Sequence, residues 1–173
     1  MELERTQFTF IAEIKTKVRQ AQYEALKAVN VKLIDLYWEI GKSIAEKQSE
    51  SWGKAIVPTL SKELQIEFPG MSGFSVSNLW QMAQFYTEYQ GIENLQPLVG
   101  EISWTKHLSI MSKCKDNLER QFYILATKKF GWTKNVLIHQ IENKTYEKHL
   151  LNQTNLDATL PEAIKHQAQL AVK

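Results

Sequence analysis

From Phe8 onward, apolar residues recur at helical spacing: Ile11, Ile14, Val18, Ala21, Ala25, Val29, Leu33, Leu36, Ile40 and Ile44. No proline interrupts the series, and its first glycine is Gly41. Apolar residues three and four apart make one continuous stripe on a helix, and a stripe of this kind has to be covered. The pattern predicts one long helix within residues 1–50 that packs against the rest of the chain or against a partner surface. The stretch from Ser49 to Gly53 ends it.

Shorter helical segments follow. Ile56, Leu60 and Leu64 share a face, with Pro58 early enough to sit in a first turn. Phe68-Pro69-Gly70-Met71-Ser72-Gly73 breaks the pattern. Ser75 then caps a helix whose buried side is Leu79, Met82, Ala83 and Tyr86. Gln90 to Gly100 reads as a loop between lobes. Ser103 caps the next helix, carrying Trp104, His107, Leu108 and Met111. Asp116 and Glu119 form a capping box for a helix with Leu118, Phe122, Leu125 and Ala126 inward, stopped by Gly131. Thr133 caps the next, with Trp132 and Leu137 at the staple positions and Val136, Ile141 and Tyr146 continuing inward. No segment alternates as an amphipathic strand does over more than a few residues, so the expected fold is all-α. The division is a long N-terminal helix (1–50), a helix-turn-helix-like lobe (51–90), a second helical lobe (101–150) and a C-terminal linker (151–173), all in one compact domain.

Composition narrows the function. The chain has 173 residues, 43% hydrophobic and 23% charged, enough for one packed domain. A net charge of +2 is nearly neutral, so any nucleic-acid contact must be a local basic patch. Cys114 is the only cysteine, which excludes an internal disulfide and a cysteine-rich zinc site. The longest apolar run, Phe122 to Ala126, is far short of a membrane span, and Met1 to Arg5 lack the apolar core of a signal peptide. The expected location is the cytoplasm, with no membrane partner.

Catalytic patterns are missing. His107, His139, His149 and His166 are scattered and match no zinc motif. There is no glycine-rich phosphate loop. Glu13-Ile14-Lys15 and Glu142-Asn143-Lys144 spell the E-x-K of a metal-dependent nuclease, but both fall on predicted helices and no Asp precedes Glu13. The expectation is a chain with no catalytic residue, metal or cofactor.

Two segments have the form helix, turn, helix. In the first, Ser77, Asn78, Gln81 and Gln84 lie opposite the buried face, where amide side chains can read adenine edges. Yet no Lys or Arg occurs between Lys62 and Lys106, and phosphate neutralisation supplies most DNA affinity. The second, Asp116 to Asn143, turns at Phe130-Gly131-Trp132 with Lys128, Lys129 and Lys134 beside it. Eight basic and four acidic residues from Lys113 to Lys148 give that region a net charge of +4. Either segment also reads as a solvated face.

Several motifs now fall into order: Tyr37-Trp38-Glu39-Ile40-Gly41, Phe68-Pro69-Gly70, Gly73-Phe74-Ser75, Asn78-Leu79 with Met82, Phe85-Tyr86, Ile102-Ser103-Trp104 with His107, and Gly131-Trp132 with Ile141. Between about Val29 and His149 the chain resembles the N-terminal domain of YhcG-like proteins. The resemblance implies a helix-turn-helix or winged-helix module preceding a PD-(D/E)xK nuclease domain, with a role on DNA or another nucleic acid. Where that family carries arginines, this chain has Val76, Ser77, Gln81 and Ala83. Folding alone accounts for other parts of the motifs. Trp38, Trp80, Trp104 and Trp132 serve as buried anchors. Gly70 and Gly73 can take positive φ at a corner, Ser75 caps, and Phe74 staples onto Leu79. Two functions stay open: a nucleic-acid-binding module, or a protein-interaction module that forms a homo-oligomer through the N-terminal helix.

Overall fold

The computed structural model describes residues 2–49, 55–92 and 95–153. The expected linker beyond Gln153 lies outside the described residues. Helix α1, Glu2–Ser49, is 48 residues long and has two different halves. From residue 7 to residue 29 every side chain is exposed. From Asn30 onward the helix lies on the rest of the protein and buries Ile34, Tyr37, Gly41 and Ile44.

That face is not the expected one. Ile34 is 0% exposed while Leu36 is 41% exposed, so the apolar stripe is turned by about one residue. Gly41 sets the rotation. A Cβ there would stand 2.1 Å from the carbonyl oxygen of Met82, so only glycine allows α1 to cross the next helices so closely. Asn30 extends the buried face with polar contacts, donating to the carbonyls of Gly100 at 3.0 Å and Ile102 at 3.1 Å.

Helix α2 (Ile56–Glu67) and α3 (Val76–Tyr89) are two successive helices with Pro58 in the first turn of α2, joined by residues 68–75, a longer connection than the short turn of a helix-turn-helix. Val57 and Ser61 are the buried residues of α2, while Ile56, Leu60 and Leu64 pack half-buried at its edge. Ser61 enters the core because its hydroxyl donates to the Phe74 carbonyl at 2.6 Å. The expected loop from Gln90 to Gly100 holds a 3-10 helix, Gln96–Glu101, with Pro97 at its start. Leu95, just before it, is buried.

Helices α4 (Trp104–Lys113), α5 (Asn117–Phe130), α6 (Lys134–Glu142) and α7 (Thr145–Gln153) complete the chain. Asp116 caps α5 by accepting from the Glu119 amide at 2.9 Å, but among the described residues Glu119 returns no bond to the cap, so the box is half closed. Ser103 has the extended backbone of a cap and makes no cap bond; its hydroxyl lies 3.4 Å from that of Thr105. Gly131 stops α5 in the left-handed region at φ 62°, and the Trp132 amide donates back to Thr127 at 3.2 Å. The buried side of α5 is Arg120, Tyr123, Ile124, Ala126 and Thr127; Leu118, Phe122 and Leu125 are only half-buried. An inward arginine displaces the face that apolar spacing alone selects.

The two lobes share one core. Phe85 on α3 meets Trp104 edge-on at 5.3 Å and His107 at 5.1 Å, and Tyr37 of α1 meets Trp104 at 5.0 Å. Every described element is helix, turn or loop. The wing of a winged helix is built of strands, and the described residues contain none. Among them, too, no helix is long and apolar enough to cross a membrane.

Candidate nucleic-acid interface

The corner before α3 is held by its own side chains. Ser75 accepts from the Asn78 amide at 3.2 Å. Gly73 takes φ +111°, and a Cβ on it would stand 2.5 Å from the Tyr37 hydroxyl. Gly70 keeps a negative or extended φ and has open space around it, so only Gly73 needs to be glycine for conformation. Phe74 is 4% exposed and Leu79 is 0% exposed. Asn78, expected on the open polar face of α3, is turned into the fold instead. Its amide nitrogen donates to the Gly73 carbonyl at 2.6 Å, and its oxygen accepts from the Trp104 indole at 2.7 Å. Both ends of this side chain are committed to the fold.

The rest of the polar face of α3 is thin. Ser77 and Gln84 are exposed, and Gln81 is half-buried rather than open. Gln84 donates to Glu88 at 2.5 Å. Glu88 in turn pairs with Arg120, which is 4% exposed, donates to the Cys114 carbonyl at 3.1 Å and lies 5.4 Å from the Tyr89 ring. Arg120 therefore belongs to the interior, and the basic region loses it as a surface cation. Seven basic against four acidic residues remain there, a net of +3.

The corner between α5 and α6 is differently built. Lys128 and Lys129 occupy the last turn of α5, where cations also complement the helix dipole. Thr133 accepts from the Val136 amide at 3.3 Å and caps α6, whose first residue is Lys134. Phe130, 61% exposed, stacks on half-buried Trp132 with ring centres 5.7 Å apart and planes at 22°. Trp132 and fully buried Leu137 hold the staple positions around the cap. Lys129 lies 5.3 Å from the Phe130 ring.

Lys128 is partly spoken for. It pairs with Glu101 at 3.1 Å, and Lys27 of α1 pairs with the same carboxylate at 3.3 Å. Burial works to raise the Glu101 pKa, but the two lysines outweigh it and hold the carboxyl below its usual value. Lys129 and Lys134 are exposed and make no salt bridge among the described residues. The corner thus presents two exposed lysines outside any salt bridge among the described residues, one of them, Lys129, beside the exposed Phe130 ring.

Titratable groups elsewhere do not converge. Among the described residues no three His, Cys, Asp or Glu side chains come together as a metal site. Glu13 stands on the exposed half of α1, and Glu142 pairs with Lys113 at 2.8 Å. His107 is fully buried, with Nε2 bonded to the Val99 carbonyl at 2.7 Å, and burial lowers its pKa to about 4. Burial pushes the Cys114 thiol up to about 12, so it stays protonated. An open groove of about 260 Å³ between α1 and α2 is lined by Glu39, Ile40, Ser43, Leu60 and Leu64 and gathers no set of reactive groups.

Apolar spacing located the caps and the two turns. The Asn78–Trp104 bond and the buried Arg120–Glu88 pair join residues far apart in sequence, and no local signal announces them.

Comparison with known proteins places these features in a family. Residues 13–148 match the family described as DUF1016 N-terminal domain. The "Putative nuclease YhcG" of Escherichia coli (strain K12) is 27% identical over 169 residues, covering 78% of this chain and 44% of that protein. The chain thus corresponds to less than half the length of this relative. No solved structure matches. With the match running from the exposed half of α1 to α7, this chain belongs to the DUF1016 N-terminal domain family.

Proposed function

We propose that this chain is a non-catalytic, nucleic-acid-binding module of a YhcG-like protein, and that it makes contact through the α5–α6 corner. In this reading it brings a nuclease domain of the longer protein to its DNA. The carrying observation is the grouping of exposed Lys129 and Lys134 with exposed Phe130 at one capped turn. Ammonium groups neutralise phosphates, the first amides of α6 point toward the same anion, and an exposed aromatic ring can pack against a base. The polar face of α3 lacks cations, and Asn78 has spent its amide on the fold. It therefore stays outside the contact.

Anisotropy of a labelled duplex, titrated at several salt concentrations, tests this reading. Binding should weaken with salt, and each of Lys129→Ala and Lys134→Ala should flatten the log–log salt slope by about one unit. Gln84→Ala should leave both affinity and slope unchanged. Failure to bind either duplex or single strand at low salt refutes the proposal. A second reading, association with protein alone, draws on a separate observation, the exposed half of α1.

A further inference from the structure

The exposed half of α1 cannot be explained by the domain it belongs to. Phe8, Phe10, Ile11, Ile14 and Val18 are 42–72% exposed, although a helix projecting alone in water gains little stability from its own backbone. Ile11, Ile14, Val18, Ala21, Ala25 and Ala28 follow the three-and-four spacing of a coiled-coil seam. At 3.6 residues per turn this seam lies about 150° around the helix from Ile34, Tyr37 and Gly41, the face that holds the domain. It points away from the body, and its side chains are exposed.

We infer that this seam pairs with α1 of a second copy of the chain, antiparallel and centred between residues 19 and 20. Two properties of the sequence select that partner and that direction. At these six positions the side chains are large at one end and small at the other, with exposed Leu26 and Val29 flanking the small end. Antiparallel alignment sets Ile11, Ile14 and Val18 of each copy on Ala28, Ala25 and Ala21 of the other, so every layer is filled by one large and one small side chain. Parallel alignment would stack isoleucine on isoleucine and leave three alanine layers underfilled. Charge agrees. The flanking residues are Lys17 and Glu24, which face each other across the antiparallel pair and do so twice by symmetry. In a parallel pair Lys17 would face Gln22 instead. The two domains then sit at opposite ends of the paired helices. The inference stands independently of nucleic-acid binding.

Sedimentation of the chain over a wide concentration range, followed by disulfide trapping, tests it. Cys114 is buried and does not interfere. The expected result is a dimer that the double variant Ile14→Cys/Ala25→Cys locks covalently, while Ile14→Cys alone does not. Lys17→Glu turns two attractions into two repulsions and should weaken the dimer roughly ten- to thirtyfold. Adding Glu24→Lys should restore it. All these side chains are exposed, and circular dichroism will verify that helix content is kept. A monomer at every concentration overturns the inference, as does trapping by Ile14→Cys alone or failure of the double charge exchange to restore association.

Discussion

Replacing Gly41 by Ala probes the contact that orients the whole molecule. The added methyl would meet the Met82 oxygen at 2.1 Å, the Met82 carbonyl carbon at 2.6 Å and the Ala83 nitrogen at 3.2 Å. Ordinary carbon contacts lie at about 3.5–4.0 Å, so the first two are deep overlaps. All three atoms are backbone of α3 and cannot rotate aside, so α1 must lift off the helix it crosses. Overpacking of this kind costs about 1–3 kcal/mol, and backbone partners place this case near 3. Alanine returns about 1 kcal/mol of helix propensity within α1. The net loss is about 2 kcal/mol, a fall in melting temperature of roughly 4–8 °C for a chain of this size. Urea denaturation followed by helical circular dichroism should show the midpoint falling with the slope unchanged. Gly70→Ala, at a site with open space, serves as the control and should stay within about 0.5 kcal/mol. A Gly41→Ala protein as stable as the parent would refute the close crossing of α1 on α3.

Three further outcomes concern the corner before α3 and the buried histidine. Ser75→Ala should cost about 1 kcal/mol through loss of the cap, and Phe74→Ala about 3 kcal/mol through loss of a buried ring, both read by urea denaturation. His107 is held neutral in the fold with a pKa of about 4, while the unfolded chain takes up its proton near pH 6.5. Its contribution to stability is therefore complete above about pH 6.5 and lost as pH falls toward 4, on the order of 3 kcal/mol in all. Urea midpoints across that range should show the slope, and a flat profile would mean that His107 is solvated.

Much of the fold was legible locally. Ser75, Asp116 and Thr133 cap the helices expected of them, and Gly131 stops α5, because these bonds span only three or four residues. The failures share a physical cause. The buried face of α1 follows a backbone crossing at Gly41, and the face of α5 follows a buried arginine; apolar periodicity weighs neither. The candidate interface was legible as a cluster of lysines at a turn, but its composition was not. Glu101 engages Lys128 from a distant 3-10 helix, and Asn78 is drawn inward by Trp104. Such partners come from tertiary contact and are invisible to spacing.

In the proposed function the α5–α6 corner, and not α3, meets nucleic acid. Amide chemical-shift mapping by nuclear magnetic resonance, with a short duplex added at low salt, addresses it directly. The perturbed amides should fall between Lys128 and Val136, move back as salt is raised, and leave Ser77 to Glu88 still. Perturbations gathered on Ser77, Gln81 and Gln84, with the α5–α6 corner unmoved, would contradict it.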